Sequence, residues 1–293
     1  MSAKRLVMDF HDSPVTLLRA RTADGAPRGP QDVDPDTKPG YGGGKAEGQA
    51  TLAARATRLA ELQELLYANG RAERGEDYSL LLVVQAMDTA GKGGILRHVA
   101  GAMDPQGVRG TAFKKPTPEE LEHDFLWRIR KHVPEPGMIA VFDRSHYEDV
   151  LVHRVRELTP LPEIEQRYQA IRDFEQELGE SGTRIIKVML HLSKDEQKER
   201  LAERLERPDK HWKYNPGDVD ERAHWEEYME AYRIAIAETD TDQAPWYIVP
   251  ANRKWYSRVA VQELLIEALE SMDLEWPKAD FDVEAEKKRL AAS

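Results

Sequence analysis

The sequence contains no cysteine, which excludes disulfide bonds, thiolate zinc sites and cysteine nucleophiles. It has no apolar run close to the roughly 20 residues of a membrane-spanning helix. Asp9 interrupts the N-terminus before the apolar core of a signal peptide can form. The nine histidines show no HxH or HExxH spacing, which disfavours zinc. We therefore expect a cytoplasmic protein that does not bind membranes.

Positive charge is also scarce, because 42 Lys and Arg residues face 53 Asp and Glu residues. The resulting net charge of −11 over 293 residues disfavours general binding of nucleic acid. Hydrophobic residues at 40% and charged residues at 32% are typical of a globular protein. A polyanionic ligand would have to be held by a local group of basic residues against the overall negative field.

Glycine and proline are concentrated near the N-terminus. Residues 25–50 hold seven glycines and four prolines, which predicts an irregular N-terminal arm over residues 1–49. Such an arm is either flexible or lies on the rest of the protein. Regular structure is expected to begin near Gln49. No linker interrupts residues 50–275, so residues 50–293 are predicted to form one domain.

The remaining chain alternates apolar runs with helical patterns. Apolar runs at 79–86, 138–142 and 184–192, and a shorter one at 246–250, predict buried parallel strands. Helical spacing is present at 52–66, with a stop signal at 69–70, and again at 95–103 and 259–269. Capping boxes at 117–120 and 193–196 predict helices that extend to about His132 and Glu206. This order predicts an α/β fold of three layers, with helices on both sides of a parallel sheet.

The first predicted strand is followed by a glycine-rich turn that contains Gly91 and Lys92. Compared with the P-loop pattern G-x-x-x-x-G-K-[ST], Ala86 replaces the first glycine and Gly93 replaces the hydroxyl residue. Backbone N–H groups at the start of a helix, together with a lysine, still form a site for an anion. The alternative is an ordinary glycine turn between a strand and a helix.

Two aspartates are candidate ligands of magnesium. Asp88 lies in the glycine-rich turn and can replace the missing hydroxyl ligand, or else simply bond the backbone of its own turn. Asp143 ends the second strand, at the edge where open α/β sheets bind ligands, in the position of a Walker-B carboxylate. Arg144 can clamp a phosphoryl group. The alternative for Asp143 and Arg144 is a cap with a surface salt bridge.

Basic residues follow the helix that ends near Glu206. Between Lys194 and Lys213 seven Lys or Arg residues stand against six Asp or Glu residues, and the balance becomes positive only after Glu206. A basic loop between helices is how nucleotide kinases build a lid over phosphates, so we predict a lid at about 200–220. Two acid-free stretches at 105–118 and 251–258 can add charge to the same place, or can be ordinary surface.

Several motifs in order resemble those of the type-2 polyphosphate kinase family, in its polyphosphate:nucleotide phosphotransferase branch. The resemblance extends from about residue 50 to 277. It is carried by the segments 87–94 (MDTAGKGG), 123–128 (HDFLWR), 143–151 (DRSHYEDVL), 210–213 (KHWK), 244–247 (APWY) and 252–255 (NRKW). It implies a thymidylate-kinase-like P-loop kinase fold with a helical lid. It also implies phosphoryl transfer between inorganic polyphosphate and nucleotides that depends on Mg²⁺, with Mn²⁺ as an alternative metal.

The resemblance also implies roles for residues. Asp88 and Asp143 are expected to bind the metal, and Asp88, Lys92, Asp143 and Arg144 to be catalytic. The expected phosphate-binding residues are Ala90, Gly91, Lys92, Gly93, Gly94, Lys114, Arg144, Arg200, Arg204 and Lys213. Glu148 stands where the first and second classes of the family commonly have asparagine. The chain therefore looks like the third class, which accepts nucleoside monophosphates and diphosphates. Glu148 is the expected determinant of nucleotide choice.

The expected substrates are polyphosphate with AMP, ADP and ATP, and guanine nucleotides are a further candidate. The expected assembly is a homo-oligomer, a dimer or a tetramer. Two other functions fit the P-loop features: a nucleotide kinase of similar fold that uses ATP without polyphosphate, and a non-enzymatic protein that senses nucleotides. The products formed from AMP, Mg²⁺ and polyphosphate without ATP would separate the three.

Overall fold

One parallel sheet forms the centre of the protein in the computed structural model, which describes residues 10–72 and 77–293. Its strands are β1 (Ser79–Gln85), β2 (Val108–Ala112), β3 (Ile139–Asp143), β4 (Thr183–His191) and β5 (Trp246–Pro250). Their order in the sheet is β2-β3-β1-β4-β5, and every neighbouring pair is parallel. The predicted α/β class with a parallel sheet is confirmed.

Helices cover the sheet on both sides. The described residues contain α1 (Pro14–Leu17), α2 (Lys45–Arg71), α3 (Lys92–His98), α4 (Trp127–Arg130), α5 (Glu148–Val155), α6 (Leu161–Glu180), α7 (Lys194–Glu206), α8 (Gly217–Arg222), α9 (Trp225–Thr239), α10 (Lys254–Glu270) and α11 (Val283–Ala291). Helix α10 packs against β4, β5, α2 and α3, whereas α6 packs against β4, α5 and α9. These two groups are the outer layers of the three-layer fold.

The apolar runs become buried strands because helices cover both of their faces. All seven residues of β1 are buried, and so are the five residues of β5. In the register of β1 and β3, Val84 lies opposite Asp143. Parallel strands carry their chain connections past the same edge, so the segments that follow β1 and β3 lie next to each other. This edge holds the candidate site.

The predicted helix from Thr117 to about His132 is wrong. The capping box itself forms, since the Thr117 N–H donates to Glu120 Oε2 at 2.8 Å and the Glu120 N–H donates to Thr117 Oγ1 at 3.2 Å. Only one 3₁₀ turn (Glu120–Glu122) follows, and regular helix returns in α4. Between them His123 is extended, at φ −117° and ψ 171°. The segment between them contains a local side-chain turn that competes with a helix, because the Leu126 N–H donates to Asp124 Oδ1 at 3.0 Å.

Other boundaries also differ from the expectation. Helix α2 begins at Lys45 instead of near Gln49, and α3 ends at His98, where a 3₁₀ turn at 100–102 replaces the expected continuation to Met103. Strand β2 was not predicted, because its sequence is short, partly polar and half exposed at the edge of the sheet.

Gly48 in α2 lies against Trp255, and a Cβ there would come within 2.2 Å of the indole ring.

The described part of the N-terminal arm, residues 10–44, lies on the domain. Leu18 and Ala20 are buried. The Ala20 N–H donates to the Trp246 carbonyl and the Ile248 N–H donates to the Leu18 carbonyl, both at 2.8 Å. The arm therefore covers the exposed edge of β5, which would otherwise present unpaired backbone groups. The first nine residues of the predicted arm lie outside the described residues.

Candidate active site

Residues 86–91 form the loop between β1 and α3, which we call the first loop. Thr89 and Gly91 have left-handed backbones, with φ of 66° and 122°. Only glycine adopts such values without strain, which explains Gly91. The Lys92 ammonium donates to the Ala86 carbonyl across this loop at 3.0 Å. A Cβ at Gly93 would meet no atom within 4 Å, so the position where P-loops carry a hydroxyl is sterically open.

The end of β3 lies beside the first loop. Asp143 is the last residue of that strand, and Arg144 follows with a left-handed backbone at φ 64°. Arg144 Nη2 donates to Asp88 Oδ1 at 2.9 Å. Burial opposes the charge of Arg144, but the carboxylates of Glu148, Asp88 and Asp143 raise its pKa. The predicted residues from two distant segments therefore meet at one place, and Arg144 stays fully charged there.

A cavity of about 640 Å³ opens from the first loop towards α7, and we call it the basic cavity. The Lys and Arg residues that line it are Lys92, Arg97, Lys114, Arg144, Arg200, Arg204, Arg207, Lys210, Lys213, Lys254 and Arg258. Its acidic residues are Asp88, Asp143, Glu203 and Asp218. A strongly positive cavity on a chain with a net charge of −11 is a local focus for a polyanion.

A second cavity of about 400 Å³ adjoins the first, and we call it the mixed cavity. Its aromatic and aliphatic lining consists of Met87, Phe113, Leu151, Val152, Leu158, Tyr228 and Tyr232. Acidic residues are more frequent here, and Glu148 is one of them. The mixture of apolar surface with a few polar groups is typical of a pocket for a small organic ligand.

The two cavities share a wall. Asp88, Phe113, Lys114, Arg144, Asn215 and Asp218 line both of them. Residues at this wall can contact a ligand in either cavity, so groups bound on the two sides would meet at Asp88 and Arg144. This geometry suits the transfer of a charged group from one ligand to the other.

Three of the expected phosphate-binding residues line the basic cavity: Arg204, Lys213 and Lys114. Arg204 Nη1 donates to the Lys213 carbonyl at 3.0 Å and lies 3.4 Å from Asp218 Oδ2. The predicted lid corresponds to the end of α7, a 3₁₀ turn (Pro208–Lys213) and α8. Of the two acid-free stretches, Lys114, Lys254 and Arg258 reach this cavity, whereas Arg253 instead lies 3.4 Å from Asp36.

Arg200 differs from its expected role. It lines the basic cavity, but its side chain is only 4% exposed and every one of its N–H donors is bound by a protein acceptor. The geometry of the described residues therefore leaves Arg200 no free donor for a phosphate, in contrast to the sequence-based prediction. Sequence could not show this, because the acceptors are backbone carbonyls of distant segments.

Glu148 begins α5 and faces the mixed cavity. Its Oε1 accepts a hydrogen bond from Gln85 Nε2 at 2.9 Å, which ties it to the end of β1. The predicted determinant of nucleotide choice therefore lies away from the basic cavity, on the side that has apolar surface. Its role in choosing a nucleotide stays a prediction.

Asp218 was missed by the sequence reasoning. It is the second residue of α8 and lines both cavities, with its side chain 10% exposed. Burial and, secondly, the charge of Asp88 raise its pKa from 3.8 to about 6. The segment that contains Asp218 carries no local signal of a site. Only the tertiary structure, which brings α8 to the wall between the two cavities, places it there.

Asp88 and Asp143 both line the basic cavity and supply a donor set of two carboxylates. Among the described residues, no group of three or more His, Cys, Asp or Glu side chains is placed to hold a metal ion. Two carboxylates fit Mg²⁺ when phosphate oxygens and water complete its coordination, since Mg²⁺ is commonly bound through one or two carboxylates. The donor set therefore fits a metal that binds together with a phosphate ligand.

A family model described as polyphosphate kinase 2 matches residues 43–277 of this chain. The AMP/ADP-polyphosphate phosphotransferase of Meiothermus ruber is 46% identical over 247 residues, which cover 84% of this chain and 90% of that protein. The ADP-polyphosphate phosphotransferase of Rhodopseudomonas palustris is 43% identical over 239 residues, covering 78% of this chain and 81% of that protein.

Solved structures give the same result. The crystal structure of polyphosphate kinase 2 from Arthrobacter aurescens is 57% identical in sequence and superposes with a TM-score of 0.93. The match covers 98% of this chain and 99% of the other.

A search of residues 10–72 and 77–293 for membrane-spanning helices finds none with the required length and apolar character.

Proposed function

Because the chain belongs to the polyphosphate kinase 2 family, we propose that it transfers the terminal phosphoryl group of inorganic polyphosphate to AMP and ADP, and catalyses the reverse reactions. The observation that carries this proposal is the pair of cavities with a shared wall at Asp88 and Arg144. The basic cavity suits the polyphosphate chain. The mixed cavity suits the nucleotide.

The reaction breaks one P–O bond of the polyphosphate chain and forms one P–O bond to a phosphate oxygen of the nucleotide. Phosphoryl transfer needs little covalent help from a protein, so positioning and charge neutralisation supply most of the acceleration. Lys92 and Arg144 would neutralise charge at the transferring group. The rest of the polyphosphate would be held by Arg204, Lys213 and Lys114, which line the basic cavity.

Asp88 and Asp143 would hold the divalent cation, which we propose to be Mg²⁺, with Mn²⁺ as a substitute. When bound, the cation would supply positive charge to the phosphate oxygens. Arg144 forms an ion pair with Asp88, so the same carboxylate orients this guanidinium. The Arg144 side chain is thereby held at the shared wall before any substrate binds.

Some parts of the proposal come from the family resemblance alone. They are the use of ATP in the reverse direction, guanine nucleotides as further substrates, the role of Glu148 in nucleotide choice, and a homo-oligomeric state as a dimer or tetramer. The oligomeric state is measured directly by light scattering on the purified protein.

The deciding experiment incubates the purified protein with AMP, Mg²⁺ and polyphosphate without ATP. We expect ADP to form first and ATP to follow. A parallel reaction contains AMP, Mg²⁺ and ATP without polyphosphate. Product in the second reaction alone would identify an ATP-dependent nucleotide kinase, and nucleotide binding without product in either would identify a sensor. Lys92→Ala serves as the matched negative control.

A further inference from the structure

Arg200 is the most completely bonded cation in the basic cavity. Its Nε donates to Glu196 Oε1 at 2.7 Å, one turn earlier in α7. The remaining acceptors are four backbone carbonyls: Thr89 (3.0 Å) and Ala90 (3.0 Å) on Nη1, and Ala251 (2.6 Å) and Asn252 (2.9 Å) on Nη2. A guanidinium has five N–H donors, so none is left for a ligand.

We propose that Arg200 is a positioning residue, which shapes the first loop for phosphate binding without contacting phosphate itself. This inference rests on the proposed function, because it assumes that the first loop binds phosphate. It replaces the direct contact expected from the sequence. A phosphate could use Arg200 only after one of these charge-assisted bonds breaks. Burial also lowers the pKa of Arg200, so its environment is less favourable to cations than water is.

The first loop is bound from α7 at three consecutive carbonyls. Gln197 Nε2 donates to the Asp88 carbonyl at 3.0 Å, and Arg200 binds the next two. In a trans peptide the C=O and the following N–H point in opposite directions. Fixing the carbonyls of residues 88–90 towards α7 therefore turns the N–H groups of residues 89–91 away from it. The Ala90 N–H bonds within the loop, to the Met87 carbonyl at 3.3 Å.

The loop needs such support because its backbone is strained. Thr89 is not glycine, yet it has φ of 66°, and this conformation is costly for a β-branched residue. A strained conformation persists only when its surroundings hold it. The two bonds from Arg200 Nη1 hold the carbonyl of this residue and that of the next one, so they oppose relaxation of the loop.

On its other side Arg200 reaches a segment that the N-terminal arm holds. The Asn252 N–H donates to the Pro35 carbonyl at 3.2 Å. The Asn252 amide pairs with Ser193, accepting from its N–H at 2.9 Å and donating to its hydroxyl at 3.1 Å. Ser193 caps α7, the helix that carries Arg200. The arm, residues 251–252 and the first loop are therefore connected through one side chain.

The first test compares Arg200→Lys and Arg200→Met with Arg204→Lys and Arg204→Met as the matched pair. Lysine keeps the charge but cannot reach four carbonyls at once. We expect both Arg200 variants to lose roughly 10- to 100-fold in kcat, since small misplacements of reacting groups cost about that much. The salt dependence of KM for polyphosphate stays as in wild type. Arg204→Met weakens that salt dependence, and Arg204→Lys keeps it.

The second test measures amide hydrogen exchange of the peptide that covers the first loop, without substrates. We expect exchange at least about 10-fold faster in Arg200→Lys than in wild type, and unchanged exchange in Arg204→Lys. This readout does not depend on activity. If the wild type itself makes no product from polyphosphate, the proposed function fails, whereas the exchange result still reports whether Arg200 holds the loop.

Two results would overturn the inference. One is Arg200→Lys with kcat close to that of wild type while Arg200→Met weakens the salt dependence, as expected of a direct phosphate contact. The other is unchanged exchange of the loop in Arg200→Lys.

If the Arg200 variants do not fold, Asn252→Ala tests the same connection, since Asn252 does not line either cavity. We expect it to lower kcat about 3- to 10-fold, and wild-type kcat would contradict the connection.

Discussion

Two loops meet at the candidate active site, and the protein supports them in different ways. The first loop has small residues, and its backbone carbonyls are held from outside by Gln197 and Arg200. The segment 144–147 after β3, the second loop, is held from inside. There Ser145, His146 and Tyr147 are completely buried, while the flanking Asp143 and Glu148 face the cavities.

The internal support of the second loop is an ion pair between Lys187 and Glu175, both nearly inaccessible to water. Glu175 Oε1 accepts from Tyr147 Oη at 2.8 Å and lies 3.2 Å from His146 Nε2. Lys187 lowers the pKa of Glu175 against the opposing effect of burial. Tyr147 is bonded further to Thr239 Oγ1 at 2.9 Å.

The difference follows from what each loop presents. The first loop is suited to offering backbone N–H groups, and α7 holds it through its carbonyls. The second loop and its flanks present the side chains of Asp143, Arg144 and Glu148, and the side chains between Arg144 and Glu148 are free to act as anchors. Removal of a support should therefore affect folding in the second loop and turnover in the first.

The largest expected effect comes from breaking the internal ion pair. Lys187→Met leaves Glu175 buried without its cation, and such losses cost about 3–5 kcal/mol of folding free energy. The double variant Lys187→Met/Glu175→Leu removes both charges and is expected to recover part of the loss. Urea unfolding of the three proteins measures this. A loss below about 1 kcal/mol in the single variant would show that the pair does not support the second loop.

The next effect concerns Lys92, which directly follows the first loop, and Arg144, which belongs to the second loop. Lys92→Ala and Arg144→Ala should remain folded and lose roughly 10²- to 10³-fold in turnover. Each substitution removes a cation that would neutralise the negative charge of the transferring phosphoryl group. Steady-state assays with AMP and ADP check this, with thermal unfolding as the control for folding. Activity near the wild-type level in either variant would remove that residue from the proposed site.

A smaller effect is expected from Asp88→Asn, which keeps the shape of the side chain but removes the charge of a proposed metal ligand. We expect turnover at saturating Mg²⁺ to fall about 10- to 100-fold and the Mg²⁺ requirement to rise. Nucleotide binding without metal should change little. Gly93→Ser in the same background tests whether a hydroxyl in the open space partly restores activity. Superimposable Mg²⁺ titrations of wild type and Asp88→Asn would contradict the metal assignment.

The smallest effect concerns Asp218, which lies between the loops. Its pKa is raised from 3.8 to about 6, so the folded protein holds this proton more tightly than the unfolded chain does. Its contribution to stability is therefore present below pH 4 and is lost as the pH rises to about 6. We expect Asp218→Asn to be more stable than wild type at pH 8, with a difference that disappears towards pH 4. Thermal unfolding across this pH range checks the sign.

Some of the site could be predicted from local sequence. Gly91 and Lys92 follow one apolar run, and Asp143 ends another. In a parallel sheet the carboxyl ends of all strands lie at the same edge, which is where ligands bind. The helix expected after Thr117 failed, because a capping box starts a helix but only tertiary packing maintains one of that length. The edge strand β2 lacks the apolar run that marks a central strand.

The sequence by itself determined the alternation of strands and helices, the position of the first loop and the placement of Asp88 and Asp143 at one edge. These features follow from local periodicity and from the geometry of parallel strands. Only the tertiary structure decided that Asp218 joins the site and that the donors of Arg200 are all bound to carbonyls from two segments. Such contacts depend on where distant backbone groups point, and the residue types of a sequence do not encode that locally.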